Sequence, residues 1–157
     1  MKSYPSISRS TGTSFREFEA YVFDKLDGSN LRFEWSKKQK WYKFGTRTRL
    51  FDQTDEVFGC AIDIFKNKLS EDLEKIAVDN RWESVIVYCE FWGETSFAGL
   101  HEPTDEKYLT LFDIAPYKKG ILGPKEFLKL TKNIQYIPKF FGIHKWTRGF
   151  VEKIYNQ

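Results

Sequence analysis

Alternating apolar and polar positions dominate the first third of the chain. From Leu31 to Trp35 the two kinds of side chain alternate strictly, as they do in a half-buried strand. We therefore predict strands over residues 19–24, 30–36 and 41–47. The short polar segments between them favour an antiparallel meander, in which the first two strands form a hairpin.

Helical spacing replaces this alternation after Asp52. Apolar residues at 57, 58, 61, 62 and 65 fall on one helical face, behind an acidic pair that suits a helix N-terminus. Ser70 is the predicted N-cap of a second helix that runs to about residue 77. Residues 85–89 are the most apolar strand-like stretch, and they should form a central strand.

The second half of the chain continues to mix strands and helices. Residues 94–106 predict a loop, 108–115 a strand, 134–137 a short strand and 146–155 a terminal helix. Pro124 is placed to open a further short helix. No regular βαβ rhythm appears, so the predicted fold class is α+β, with mainly antiparallel sheets flanked by helices.

Length and charge narrow the classes of function. The 157 residues fit a single domain, and 25 Lys and Arg against 22 Asp and Glu leave a net charge of only +3. This balance excludes a polybasic nucleic-acid-binding protein, so any such site must be a local groove. No secretory signal or membrane-spanning stretch is apparent, and we expect a cytoplasmic protein without membrane association. Cys60 and Cys89 lack metal-ligand spacing and are expected as free, buried thiols.

Candidate chemistry begins with residues 25–30, KLDGSN, between the first two predicted strands. A lysine amine attacks a phosphorus or carbonyl centre only when it is unprotonated, which desolvation or a nearby cation promotes. We expect Lys25 to be buried at the strand end for this reason. The alternative is that Asp27 and Gly28 simply form a hairpin turn, since Asp-Gly is a common turn signal.

Three further motifs follow at predicted strand ends: GTRTR at 45–49, EFWGE at 90–94 and LFDI at 111–114. Together with KLDGSN, and in this order, they resemble the covalent nucleotidyltransferases, the superfamily of ATP-dependent ligases and mRNA capping enzymes. Within it the chain looks most like the bacteriophage RNA ligases that seal nicks in double-stranded RNA. Asn30 carries this distinction, because DNA ligases and capping enzymes usually have arginine there.

This resemblance implies an ATP-grasp-like adenylation domain and an enzyme that joins RNA ends, as in RNA repair. Lys25 would attack the α-phosphorus of ATP to form lysyl-AMP, with Mg²⁺ spreading the charge of the triphosphate. Arg47 would bind phosphate, Glu90 the ribose hydroxyls and Phe112 the adenine ring. The nucleotide-binding set that the resemblance implies is Asp27, Gly28, Asn30, Arg47, Glu90 and Phe112. Asp27 departs from the histidine that close relatives often carry.

The same resemblance marks what is missing. The family has a later Glu-Gly motif and a final Lys-x-Lys motif, and neither follows Asp113 in this chain. We therefore expect residues 1–157 to be one truncated adenylyltransferase domain, without an OB or other C-terminal domain. Adenylation by this chain alone should be very slow or absent, because those groups stabilise the transition state. RNA ends are the expected partners. The chain is expected to be either half of a split enzyme, completed by a second chain that supplies the missing motifs, or a shortened form of a full ligase.

A purely structural role remains an alternative explanation for each of these residues. Glu90 suits a solvated strand end, Phe112 alternates with Leu109 and Ile114 as a core residue would, and Arg47 suits a surface ion pair. A non-catalytic nucleotide- or RNA-binding remnant is the alternative to a ligase, whereas Asn30 disfavours a capping guanylyltransferase. If the chain is phage-encoded, its expected compartment is the cytoplasm of the host cell.

Overall fold

The computed structural model describes residues 2–6 and 18–156, which divide into two compact units. The first unit holds Leu26–Pro138 with the N-terminal residues up to Tyr4, and the second holds Pro5–Lys25 with Lys139–Gln157. Most of the polar N-terminal segment, residues 7–17, lies outside the described residues. The strands are β1 (Glu19–Phe23), β2 (Ser29–Ser36), β3 (Lys40–Gly45), β4 (Leu50–Phe51), β5 (Ser84–Gly93), β6 (Lys107–Pro116) and β7 (Phe140–Lys145). The helices are α1 (Gly59–Lys68), α2 (Ser70–Asp79), α3 (Pro124–Leu130) and α4 (Arg148–Tyr155).

A five-stranded antiparallel sheet in the order β4-β3-β2-β5-β6 is the frame of the first unit. Strand β5 is central, as its apolar composition predicted, and it pairs with β2 on one side and β6 on the other. The α+β class with antiparallel sheets is confirmed.

The hydrophobic core lies on one face of this sheet. Leu31, Phe33 and Trp35 of β2 are fully buried on it, as their alternation predicted. Phe65 of α1 stacks on Phe33 with ring centroids 4.0 Å apart and an interplanar angle of 4°. Because side chains of a strand alternate between faces, the residues between these three lie on the opposite face, which carries the candidate site.

The predicted hairpin of the first two strands is wrong. Strand β1 pairs with β7 in a two-stranded sheet of the second unit. Strand β2 is already paired along both edges, with β3 and β5, so it has no edge left for β1. Lys25 therefore does not lie at the end of a strand in a β1–β2 hairpin.

The second unit consists of the β1–β7 sheet and α4. Phe140 of β7 packs on two residues of β1, with ring centroids 5.1 Å from Phe23 and 5.9 Å from Tyr21. The predicted terminal helix is confirmed as α4, and the Thr147 hydroxyl accepts a hydrogen bond from the Phe150 amide at its start.

Four smaller expectations fail for local reasons. Helix α1 starts two residues later than its apolar spacing suggested. The amides of Val57 and Phe58 donate hydrogen bonds to the Asp55 carboxylate and hold these residues in a turn before the helix. Ser70 is the first residue of α2, after the N-cap Leu69, and its hydroxyl donates to the Lys66 carbonyl instead of capping the helix. Residues 134–137 form no strand and instead bend at 135–137. Cys60 is exposed, although Cys89 is buried and both are free thiols. Among the described residues, no helix is both long and apolar enough to cross a bilayer.

Candidate functional site

Two of the predicted motifs meet at one end of β5. The Gly28 amide donates a hydrogen bond of 2.9 Å to Oε1 of Glu90, 62 residues later in the chain. Asn30 lies directly opposite Glu90 in the β2–β5 register. A Cβ atom on Gly28 would stand 2.1 Å from the Phe91 carbonyl oxygen, so only glycine allows this approach. The structure thus brings Gly28, Asn30 and Glu90 together.

Polar side chains extend this site across the face of the sheet that lies opposite the core. Two rows of neighbouring positions cross β2, β5 and β6, and each row contains one residue from each strand. These residues are Asn30, Glu90 and Thr110 in the first row, and Arg32, Tyr88 and Asp113 in the second.

Arg32 is the member of these rows that sequence reasoning misjudged. The half-buried strand predicted over residues 30–36 implies that its non-core face is exposed to solvent, yet Arg32 on that face is only 7% exposed. It lies opposite Gly45 of β3, where a Cβ would come within 2.7 Å of the Arg32 Nε. Alternation correctly predicted its face, but burial depends on the neighbouring strands. A buried guanidinium adds fixed positive charge to this face.

Phe112 occupies an irregular point of β6. The register between β5 and β6 shifts after Tyr88, so that Tyr88 pairs with Asp113 and Cys89 with Leu111. Phe112 falls within this bulge, is half-buried, and does not belong to the hydrophobic core. Core packing is therefore not its explanation, and bulges often re-aim a side chain beside a functional site.

A residue that no motif indicated packs against Phe112. The ring of Tyr4 makes edge-on contacts with Phe112 and Tyr88, at centroid distances of 5.0 and 5.1 Å. Its hydroxyl donates a hydrogen bond to Oδ2 of Asp113, and the Tyr88 hydroxyl donates to the Lys2 carbonyl at 3.1 Å. Burial, together with the Asp113 carboxylate, raises the pKa of Tyr4, and burial raises the pKa of Asp113. The N-terminal residues thus cover one side of the bulge.

Arg47 lies on the turn between β3 and β4 and is exposed. The Thr46 amide donates to the Arg49 carbonyl at 2.8 Å, and the Thr46 hydroxyl accepts from the amides of Thr48 and Arg49. Arg49 forms an ion pair of 2.6 Å with Asp55, and this partner and backbone amides lower the pKa of Asp55. Arg49 thus forms a surface ion pair, while Arg47 stays a predicted phosphate ligand.

Lys25 and Asp27 flank the point where the two units join along the chain. Lys25 is the last residue of its segment in the second unit, whereas the predicted nucleotide-binding residues belong to the first. Both side chains are exposed, so the expectation of a buried Lys25 is wrong for this structure. The catalytic role of Lys25 remains a prediction.

Comparison with solved structures finds RNA ligases. An archaeal ATP-dependent RNA ligase matches with a TM-score of 0.64 and 16% identity, over 92% of this chain and 38% of that one. A Naegleria gruberi RNA ligase mutant with ATP and Mn matches with a TM-score of 0.59 and 17% identity, over 83% of this chain and 38% of that one. A second mutant of that ligase, with AMP and Mn, gives the same values.

These matches establish the fold. The fold of the chain is similar to that of part of these RNA ligases, and the chain spans 38% of the length of the ligases named above. No family model matches the chain, and no curated protein matches it either.

Proposed function

We propose that this chain is the nucleotide-binding part of an ATP-dependent RNA ligase, which joins RNA ends through a lysyl-AMP intermediate. The hydrogen bond from Gly28 to Glu90, with Asn30 directly opposite, carries the proposal. It joins two motifs that are far apart in sequence at one end of the central strand. The likeness of fold to ligases that have been solved with ATP or AMP supports it.

The residues of this face suit an adenosine nucleotide. A carboxylate can accept about four hydrogen bonds, so Glu90 can bind Gly28 and ribose hydroxyls at the same time. Phe112, held outside the core, would stack on adenine with about 1–3 kcal/mol, the value typical of base–aromatic stacking. Arg47 would bind the phosphates through its fork of donors, and the Asn30 amide would orient them.

Lys25 is assigned the chemical step. Its deprotonated Nζ attacks the α-phosphorus, the bond to the bridging oxygen of the β-phosphate breaks, and pyrophosphate leaves. The attacking nitrogen becomes positively charged when it bonds to phosphorus, and it releases one proton to solvent as the phosphoramidate forms. Because desolvation favours the deprotonated amine and Lys25 is exposed, we expect slow reaction until substrate or further protein covers it.

A divalent cation is part of the proposal as a charge-neutralising ion. Among the described residues, no cluster of three or more His, Cys, Asp or Glu side chains is arranged to hold a metal. Mg²⁺ commonly keeps several waters and binds largely through substrate phosphates, so such a cluster is not required. When bound, it would spread the charge that develops on the triphosphate.

Two finer assignments complete the proposal. Asn30 favours the bacteriophage nick-sealing branch of the RNA ligases, whose substrate is a nick in duplex RNA. Glu-Gly and Lys-x-Lys motifs, on a second polypeptide or on a longer form of this chain, would complete the site, because those side chains would add positive charge and a carboxylate at the phosphates.

Intact mass spectrometry tests the chemical step directly. The chain is incubated with ATP and Mg²⁺, alone and with candidate partner fragments. The expected result is a gain of one AMP that disappears in Lys25→Ala but persists in Lys38→Ala, an exposed lysine in the β2–β3 turn. No AMP gain under any complementation would refute the enzymatic proposal.

The exposure of Lys25 favours a second candidate, a binding module that holds nucleotide or RNA but transfers nothing. Calorimetry would then show saturable ATP or RNA binding, weakened by Glu90→Ala and Phe112→Ala but nearly unchanged by Lys25→Gln. Absence of binding to both ligands would exclude this candidate.

A further inference from the structure

The loop between β5 and β6 is held in place by a buried polar cluster. The Ser96 hydroxyl, only 3% exposed as a residue, donates to Oδ2 of Asp105 at 2.8 Å and accepts from Lys107 Nζ at 2.7 Å. The Thr95 amide also donates to Asp105 at 3.0 Å. A Cβ on Gly93 would stand 2.1 Å from Asp105 Oδ2, so this glycine is needed for the loop to close. The cluster fixes the shape of the segment that carries His101.

His101 connects this loop to the site. Its Nε2 lies 2.7 Å from the hydroxyl oxygen of Ser29, which stands between Gly28 and Asn30 in the chain. Its ring packs against Phe91 and Phe58, with centroids 4.9 and 5.5 Å away. Ser29 itself lies opposite Phe91 in the β2–β5 register. The histidine therefore holds the middle residue of the segment that binds Glu90.

The surroundings of His101 favour a neutral imidazole. Burial and the nearby Lys107 cation lower the pKa of His101. Its Nδ1 is buried without a hydrogen-bond partner among the described residues. A buried unsatisfied nitrogen costs stability, so a phenyl ring would serve at least as well if filling space were the only task. The hydrogen bond to Ser29 is the feature that a phenyl ring cannot replace.

We propose that His101 is a positioning residue of the nucleotide site, acting through Ser29 to hold the Gly28 amide and Asn30 in place at Glu90. This inference rests on the proposed function. Without the bond, the Ser29 segment gains freedom, and part of the binding free energy is lost in ordering it again. In this role His101 acts only through Ser29 and performs no chemistry itself.

Four variants test the positioning role against simple packing. His101→Phe keeps the ring contacts and removes the hydrogen bond, His101→Gln keeps a polar group, and Ser29→Ala removes the partner. His144→Phe is the matched control, since the other histidine lies on β7 in the second unit. For each, AMP affinity is measured by calorimetry and unfolding by urea titration.

The positioning role predicts a split between binding and stability. AMP should bind about three- to tenfold more weakly to His101→Phe and Ser29→Ala, the range expected for one lost hydrogen bond. The double variant should be no worse than either single one, because both remove the same interaction. His101→Gln should bind within about twofold of the original, and His101→Phe should unfold at an unchanged or higher urea concentration.

The outcomes separate this inference from the proposed function. If the unaltered chain binds AMP and His101→Phe binds equally well, the positioning role is wrong and the nucleotide site stands. A parallel loss of stability and affinity in His101→Phe would also overturn it, since that is the result of damaged packing. If the unaltered chain does not bind AMP, both proposals fail.

Discussion

The close approach of Gly28 to β5 provides the sharpest prediction. In Gly28→Ala the new Cβ would lie 2.1 Å from the Phe91 carbonyl oxygen and 2.9 Å from the Cβ of Trp92. Neither neighbour can move easily, because Phe91 belongs to the central strand and is fully buried. The segment around Gly28 must therefore move away, and the 2.9 Å hydrogen bond from the amide of residue 28 to Glu90 is lost.

The magnitude follows from two contributions. Overpacking typically costs about 1–3 kcal/mol. A hydrogen bond to a charged group contributes about 1.5–3 kcal/mol. The two costs overlap, because the movement of the Gly28 segment that relieves the clash is the same movement that breaks the hydrogen bond. We expect a loss of about 1–3 kcal/mol in the free energy of unfolding. With a urea m-value of about 2 kcal/mol/M, the midpoint should fall by about 0.5–1.5 M.

Urea unfolding followed by tryptophan fluorescence measures this shift, and calorimetry with AMP measures the site. Gly123→Ala is the control from the same unit, because a Cβ there meets nothing within 4 Å and its φ of −65° suits any residue. We expect that variant to change the midpoint only slightly. An unchanged midpoint and unchanged AMP affinity in Gly28→Ala would refute the reasoning that this glycine is required for contact with Glu90.

Three further predictions concern the first unit. Phe65→Ala should destabilise the chain by about 3–5 kcal/mol, because it removes a fully buried ring, and urea titration measures this loss. Maleimide labelling followed by mass spectrometry should modify exposed Cys60 in the native chain, whereas Cys89, buried and with a raised pKa, should react only after unfolding. Burial raises the pKa of Asp113 in the folded chain above its ordinary 3.8. The protonated carboxyl therefore contributes to the free energy of unfolding below pH 3.8, and this contribution is lost as the pH rises through the pKa of the folded state. Asp113→Asn should therefore gain stability relative to the original chain between acidic and neutral pH; a constant difference would contradict this.

The local pattern of apolar and polar residues alone predicted several strands of this protein. The strict alternation from Leu31 to Trp35 identified β2 and the face it buries, because side chains of a strand alternate whatever the strand pairs with. The apolar run around residue 87 identified the central strand, whereas the Asp-Gly pair suggested a β1–β2 hairpin that does not form. Glu90 and Asn30 became candidates through the resemblance of the four motifs to the covalent nucleotidyltransferases, and local pattern only placed them on strands.

Only the tertiary structure decided which segments meet. Strand β1 pairs with β7 because both edges of β2 are taken, and no local signal shows which edge is free. Tyr4 packs on Phe112, and His101 contacts Ser29, although other elements separate the members of each pair along the chain. Arg32 is likewise buried by neighbours from other strands. Periodicity reports the face on which a side chain lies, whereas its partner depends on pairing and burial that distant segments of the chain establish together.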